Sequence, residues 1–201
     1  MATVTVVGGG VASEIEDDGA LAARARLGDA DAFARLVERH RAGVRSLLHR
    51  LSGAPHLDDL EQDVFVASWR GLRTYRGDAA FGTWLRRIAA HRAKRFLARR
   101  RPEPEPLPED GEGALRGGPH RDAARSERAA AVRRAVEALS PALRVAFVLR
   151  YVEGLSGAET AEILGRPEGT VRSLLFDARR ALSKSLGEEI VDDDGDASGG
   201  R

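Results

Sequence analysis

The tract from Arg101 to His120, RPEPEPLPEDGEGALRGGPH, constrains this chain more than any other feature. Proline has no amide hydrogen to give a helix and its ring clashes with the preceding turn, so a Pro-x-Pro-x-Pro-x-Pro run cannot continue a helix. Acids and glycines fill the rest, so the stretch reads as an extended linker over residues 102–121. It leaves two segments, 18–101 and 122–186, each rich in Ala, Leu, Val and Arg and each of the size of a small domain. Residues 1–17 are Gly-, Val- and acid-rich without a lasting period. Residues 187–201, GEEIVDDDGDASGGR, form an acidic tail. Both ends are expected to be disordered. No internal repeat is present.

Both segments carry helical spacing and no strand alternation, so the expected fold class is all-α. In the first, Phe33, Leu36 and Val37 are followed by Val44, Leu47, Leu48 and Leu51 before Ser52-Gly53. A helix from about Asp58 places Leu60, Val64, Ala67 and Gly71 on one stripe, with Phe65, Trp69 and Leu72 beside it. Asp59, Gln62, Asp63, Val66 and Arg70 fall on its other side. The next helix is expected to start near Asp78 as N-cap and carries Phe81, Trp84, Leu85, Ile88 and Leu97. In the second segment Ser140-Pro141 opens a helix that Gly154 ends. Ser156-Gly-Ala-Glu159 fits a capping box, Gly165 makes a turn, and Pro167 opens a last helix bearing Val171, Leu175, Ala178 and Leu182. Two helices joined by a tight Gly turn, with another before them, fit the helix-turn-helix pattern, which also occurs in proteins that touch no nucleic acid.

Charge and composition narrow the function. The formal net charge is +1, but it is unevenly spread. Arg86, Arg87, Arg92, Lys94, Arg95, Arg99, Arg100 and Arg101 lie in one stretch without an acid, and Glu103, Glu105, Glu109, Asp110 and Glu112 follow without a base. Such segregation gives one positive surface and a negative neighbour. There is no cysteine, the five histidines are scattered, and the acids show no ligand spacing, so neither a metal nor another cofactor is expected. No phosphate loop or nucleophile motif appears, so no catalytic residue, enzyme activity or small-molecule substrate is expected. No apolar run approaches the ~20 residues of a membrane span, and no signal peptide is evident. A cytoplasmic protein without membrane insertion is the expectation.

Two stretches carry a family resemblance. Asp58 to Arg101 (DDLEQDVFVASWRGLRTYRGDAAFGTWLRRIAAHRAKRFLARRR) closely resembles the second conserved domain of extracytoplasmic-function sigma factors, and Asp29 to Arg39 matches that family's opening helix. Leu139 to Leu182 (LSPALRVAFVLRYVEGLSGAETAEILGRPEGTVRSLLFDARRAL) is similar to its fourth domain. Together they cover about two-thirds of the chain, in the family's order, around a charged linker.

The resemblance implies core RNA polymerase, promoter DNA and an anti-sigma factor as partners. Asp58, Asp59, Gln62 and Asp63 would dock on a coiled coil of the polymerase, polar groups on a helix giving attraction and register. Tyr75, Arg76, Phe81, Trp84, Arg87, His91, Lys94 and Arg95 would read and melt the minus-ten element, aromatics housing an unstacked base and cations its phosphates. Arg166, Glu168, Thr170, Arg172, Ser173, Leu174, Phe176 and Arg179 would face the minus-thirty-five element, with the last helix in the major groove. The acidic linker would follow a basic channel of the polymerase. Three positions depart from the family pattern: His91 stands for the usual Asn, and Leu174 and Asp177 for the usual Arg. An exposed leucine cannot make the bidentate contact of Arg to guanine, and an acid repels phosphate. Two other readings stay open: a helix-turn-helix regulator that acts without polymerase, and a sigma-like adaptor that reads no promoter.

Overall fold

The computed structural model describes residues 16–99 and 119–187; the expected extension through residue 15, the segment 100–118 and the tail from 188 lie outside them. Among the described residues there are eight α-helices and no strand. They are α1 Asp18–Arg26, α2 Ala30–Ser52, α3 Leu57–Gly71, α4 Phe81–Arg99, α5 Pro119–Glu137, α6 Pro141–Phe147, α7 Gly157–Leu164 and α8 Glu168–Leu186. A π-helical turn, Val148–Val152, extends α6.

Side-chain caps fix several starts. Asp17 accepts from the Ala20 amide at 2.7 Å, and Asp29 accepts from the Ala32 amide at 3.0 Å. Each satisfies one of the donors a helix leaves unpaired at its N-terminus. The capping box at α7 forms in both directions: the Ser156 amide donates to Glu159 Oε2 at 2.8 Å, and the Glu159 amide to Ser156 Oγ at 3.1 Å. Pro141 takes the first position of α6, but the Ser140 hydroxyl caps nothing. Two boundaries shift from the sequence reading. Glu16 and Asp17, expected in a disordered extension, are ordered, with Glu16 bonded to Arg24 and Arg35 at 2.8 Å. α5 begins at Pro119, inside the expected linker, because a proline is tolerated in a helix's first turn.

Leu36, Leu47, Leu48 and Leu51 of α2 meet Leu60 and Val64 of α3 and Leu85 and Ala89 of α4. Full burial of each such leucine contributes about 1.5–3 kcal/mol. In the second segment, Val171, Leu175, Ala178 and Leu182 of α8 pack on residues from α5, α6 and α7. The linker predicts two separately folded domains; each segment has buried clusters of its own, and part of the second also packs into the core of the first. Val145, Val148, Leu149 and Ile163 join the first cluster, and α6 and α7 both pack on α4. α4 can serve both sides because Ala90 and Ala93 lie around the helix from Leu85 and are as fully buried; alanine lets a neighbouring backbone approach closely. An ion pair from Arg50 on α2 to Glu153 also spans the two segments.

Candidate nucleic-acid interface

Four of the expected minus-ten residues, Tyr75, Arg76, Phe81 and Trp84, sit in or around one loop. α4 starts at Phe81, two residues later than an N-cap at Asp78 implies, with the Trp84 amide donating to the Ala80 carbonyl at 3.0 Å. Asp78 is not its cap. The intervening residues belong to a turn in which Gly77 adopts φ +81°, a region that favours glycine. The turn is closed by Tyr75, whose hydroxyl donates to the Ala79 carbonyl at 2.9 Å. Burial first, and then the charges of Asp18 and Asp78, hold the Tyr75 phenol above its ordinary pKa. The Tyr75 ring lies 5.1 Å from Trp84 and edge-on to Phe81 at 5.7 Å. Phe81 is only 3% exposed. It is therefore a core residue that supports the loop rather than a direct DNA contact, since apolar burial claims its whole ring.

Behind the loop an open cleft of about 320 Å³ is lined by Ala67, Gly71, Thr74, Trp84, Arg87 and His91. Gly71 fits closely against the Trp84 ring: a Cβ there would stand 3.3 Å from Trp84 Cζ2, so even alanine would make the indole give by a few tenths of an ångström. His91 Nδ1 lies 2.9 Å from the Arg87 carbonyl, which can only accept. The proton therefore sits on Nδ1, and in the neutral ring Nε2 is left as an acceptor. Asn at this position would offer both a donor and an acceptor. The departure from the family pattern thus replaces a two-group amide by a ring with one nitrogen left for a partner.

The bases of α4 are not equivalent. Arg92 is held by Asp63 at 3.1 Å. Arg86 lies close enough to Glu159 to help lower its pKa, after the bonds that carboxylate receives from the Ser156 amide and hydroxyl. Arg76, Arg87 and Arg95 are exposed and Lys94 is half-buried. Arg100 and Arg101, part of the expected basic run, lie outside the described residues. Arg87 also touches the second segment, its guanidinium 2.7 Å from where a Cβ on Gly165 would stand.

That glycine is the turn between α7 and α8, at φ +60°. On α8, Thr170, Arg172 and Ser173 are exposed, as are Arg166 and Glu168 just before and at its start. The Ser173 hydroxyl is engaged, donating to the Gly169 carbonyl at 3.1 Å. Phe176 is 57% exposed, and Arg179 donates to the Tyr151 hydroxyl at 3.0 Å. Leu174 differs from expectation: it is half-buried against the cluster of Ala146, Ala161, Val171 and Leu175 and is no exposed leucine. Asp177 is exposed beside it.

The four expected docking residues are all exposed on α3, but two are engaged within the chain. Asp58 pairs with Arg45 at 2.6 Å and Asp63 with Arg92. Asp59 and Gln62 point outward. Glu61, between them, is 5% exposed and bonded to Arg41 and Arg45, so it anchors α3 on α2. The sequence reading missed the apolar part of this face. Phe33, Phe65, Val66 and Trp69 line a shallow groove of about 410 Å³ with Gln62 and Arg70 at its edge. Val66 and Trp69 are each 39% exposed, and the Trp69 and Phe33 rings are 4.9 Å apart. The signal was in the spacing, because Gln62, Val66, Trp69 and Arg70 recur at helical intervals.

Comparison with known proteins gives two family-model matches, Sigma-70 region 2 over residues 36–103 and Sigma-70, region 4 over residues 129–182. The RNA polymerase sigma-H factor of Pseudomonas aeruginosa is 38% identical over 182 residues, covering 85% of this chain and 94% of the relative. The ECF RNA polymerase sigma-E factor of Escherichia coli is 36% identical over 184 residues, covering 87% and 96%. Among solved structures, CnrH in complex with the cytosolic domain of CnrY is similar at 30% identity and TM-score 0.59, covering 85% of this chain and 97% of that one. The fold is also that of the sigma factor RpoE from Bartonella quintana, at 20% identity and TM-score 0.55. Fold and matched regions thus define a sigma-70-type transcription initiation factor, a kind of protein that is not itself a catalyst. Within that class, the chain belongs to the extracytoplasmic-function sigma factors. Its function is theirs: promoter-directed initiation of transcription with RNA polymerase. Among the described residues no helix is long and apolar enough to cross a membrane.

Proposed function

We propose that the α4 cleft is where this sigma factor holds the opened minus-ten element. The observation that carries this reading is the joint placement of an indole wall and the exposed Arg87 and His91 around one open cleft. An unstacked base needs a surface to stack on, an edge to bond and a cation for its phosphate. Trp84, His91 and Arg87 supply these three, with Arg95 and Lys94 continuing the phosphate path along the helix. An accepting His91 ring nitrogen would bond a donor on the exposed edge of the unstacked base, such as an exocyclic amine.

Docking on core polymerase falls to the outer face of α3, where Asp59 and Gln62 flank the Val66–Trp69 groove. α8 takes the upstream element through Thr170, Arg172 and Ser173, its N-terminal turn favouring phosphate. Elements near positions ten and thirty-five lie about 25 base pairs apart, roughly 85 Å at 3.4 Å per step. The packing of Gly165 beside Arg87 cannot span that distance, so α5–α8 must leave α4 on the promoter. An anti-sigma factor is the expected regulator, supported by the likeness to CnrH, which was solved bound to another protein's cytosolic domain. The chain performs no catalysis and acts in the cytoplasm with polymerase.

The reading is tested with a photo-crosslinking residue at Trp84 in the assembled holoenzyme. Cross-links to non-template bases of the minus-ten element are expected once the promoter opens. Cross-links confined to duplex DNA, or to protein, would remove the cleft from that role.

A further inference from the structure

The reading loop and the start of α4 rest on groups that lie outside the expected DNA-contacting set. Asp18, in the first turn of α1, sits upstream of the Sigma-70 region 2 match, which begins at residue 36. Its two carboxylate oxygens divide between neighbouring residues of α2: Oδ1 accepts from Arg39 at 3.0 Å, and Oδ2 accepts from His40 Nε2 at 2.6 Å. Partial burial pushes Asp18 upward, but the bonds and charges of Arg39 and His40 outweigh it and leave the carboxyl below its ordinary pKa. His40 in turn is wedged under α4. Its ring lies 5.3 Å from that of Phe81, and a Cβ on Gly82 would come within 3.2 Å of His40 Cε1. Gly82 is therefore what lets the imidazole seat against the first turn. Phe81 then touches both Tyr75 and Trp84, at 5.7 and 5.4 Å between ring centroids, and Tyr75 closes the loop through the Ala79 carbonyl.

We propose that Asp18 and His40 are a positioning pair for promoter opening: they fix Phe81, and through it the Tyr75 loop and the Trp84 wall, at the geometry that receives an unstacked base. α1 thereby becomes part of the minus-ten reading element. The inference rests on the assignment of that loop and cleft to promoter reading. The pair acts through shape. A carboxylate bonded to a ring nitrogen sets the ring's orientation in the way a buried acid orients a catalytic or metal-bound histidine. Ring and donor are separable by substitution, since His40→Phe keeps the stacking and loses the donor to Asp18. His40→Gln keeps a nitrogen donor at a similar reach and loses the ring.

The test uses full-length protein assembled with core polymerase on a promoter carrying 2-aminopurine in the minus-ten element. Asp18→Ala and His40→Phe should each slow the fluorescence rise of opening by about tenfold, the factor expected for one lost charge-assisted hydrogen bond. The double variant should be no slower than either single variant, because the two groups act as one unit. His40→Gln should recover part of the rate. Affinity for core polymerase and the melting temperature should stay near wild type. Three results overturn the proposal: unchanged opening in Asp18→Ala and His40→Phe, additive losses in the double variant, or a parallel fall in polymerase affinity. A triple replacement of Arg87, Lys94 and Arg95 runs alongside. If it abolishes opening while Asp18→Ala does not, only the pair's role falls. If neither has an effect, the promoter-reading assignment falls as well.

Discussion

Replacing Arg87, Lys94 and Arg95 with Gln tests how α4 holds DNA, and its size can be worked out from the pairing pattern. Arg92 is neutralised by Asp63 and Arg86 faces Glu159, which leaves Arg87, Lys94 and Arg95, with Arg99 at the end of the helix, as the α4 cations for phosphate among the described residues. Each phosphate neutralised adds about 0.7 to 0.9 to the slope of log affinity against log salt, the lower figure for single strands and the higher for duplex. Losing three contacts should therefore flatten that slope by about 2–3 units. Between about 50 and 200 mM salt, wild-type holoenzyme should lose roughly 20–40-fold more affinity than the variant. The assay is holoenzyme binding to a promoter fragment with a pre-opened minus-ten region, titrated with KCl. Pre-opening removes the energetics of melting, so the slope reports contacts alone. Parallel lines for the two proteins would refute the reasoning and return α4's bases to an ordinary solvated face.

Trp69→Ala should weaken binding to core polymerase by about tenfold or more, the usual loss for a central aromatic anchor, while melting temperature changes little because the ring is partly exposed; equal affinity in a core-binding titration would remove the groove from the docking face. Reversing Arg50 to Glu should loosen α5–α8 from α4, and pairing it with Glu153→Arg should restore the contact. Energy transfer between dyes on α2 and α8 of the free protein reads this, and identical transfer in all three proteins would show that the ion pair holds nothing. Asp177→Arg should strengthen binding of the upstream element by removing an exposed acid from α8, whereas Leu174→Arg should lower the melting temperature because it strips packing from the Val171–Leu175 cluster. Equal, fully folded gains in DNA affinity from both would contradict the half-buried position of Leu174.

Punctuation and period carried most of the fold into the sequence. The Ser156–Glu159 box, the Gly165 turn and the leucine stripe of α8 are local signals with local causes, and the structure forms them as read. α1 escaped because DGALAARAR alternates alanine with charge and has almost no amphipathic period; its burial comes from Leu21, Ala22 and Ala25 meeting α2. Aromatic residues were ambiguous for a different reason. Phe81 and Trp84 are three residues apart on one helix, yet one is core and the other lines an open cleft, because Gly71 leaves room beside only the second. Trp69, read as lying beside the buried stripe, lines the outer groove. The second apolar side of α4 at Ala90 and Ala93 was invisible to periodicity, since alanine marks both helix propensity and close contact. Contacts such as Arg50–Glu153, separated by 103 positions, have no local signature at all.

On the reading proposed above, this chain directs RNA polymerase to particular promoters through the α4 face. It is tested most directly by mixing the protein with core polymerase and a randomised promoter library, then sequencing the transcripts. Transcripts should depend on the added protein and share an upstream pair of elements. The base preference of the downstream element should change when His91 is replaced by Asn. Transcripts with no shared element, or a selected sequence unaffected by replacing Trp84, Arg87 and His91 together, would contradict it.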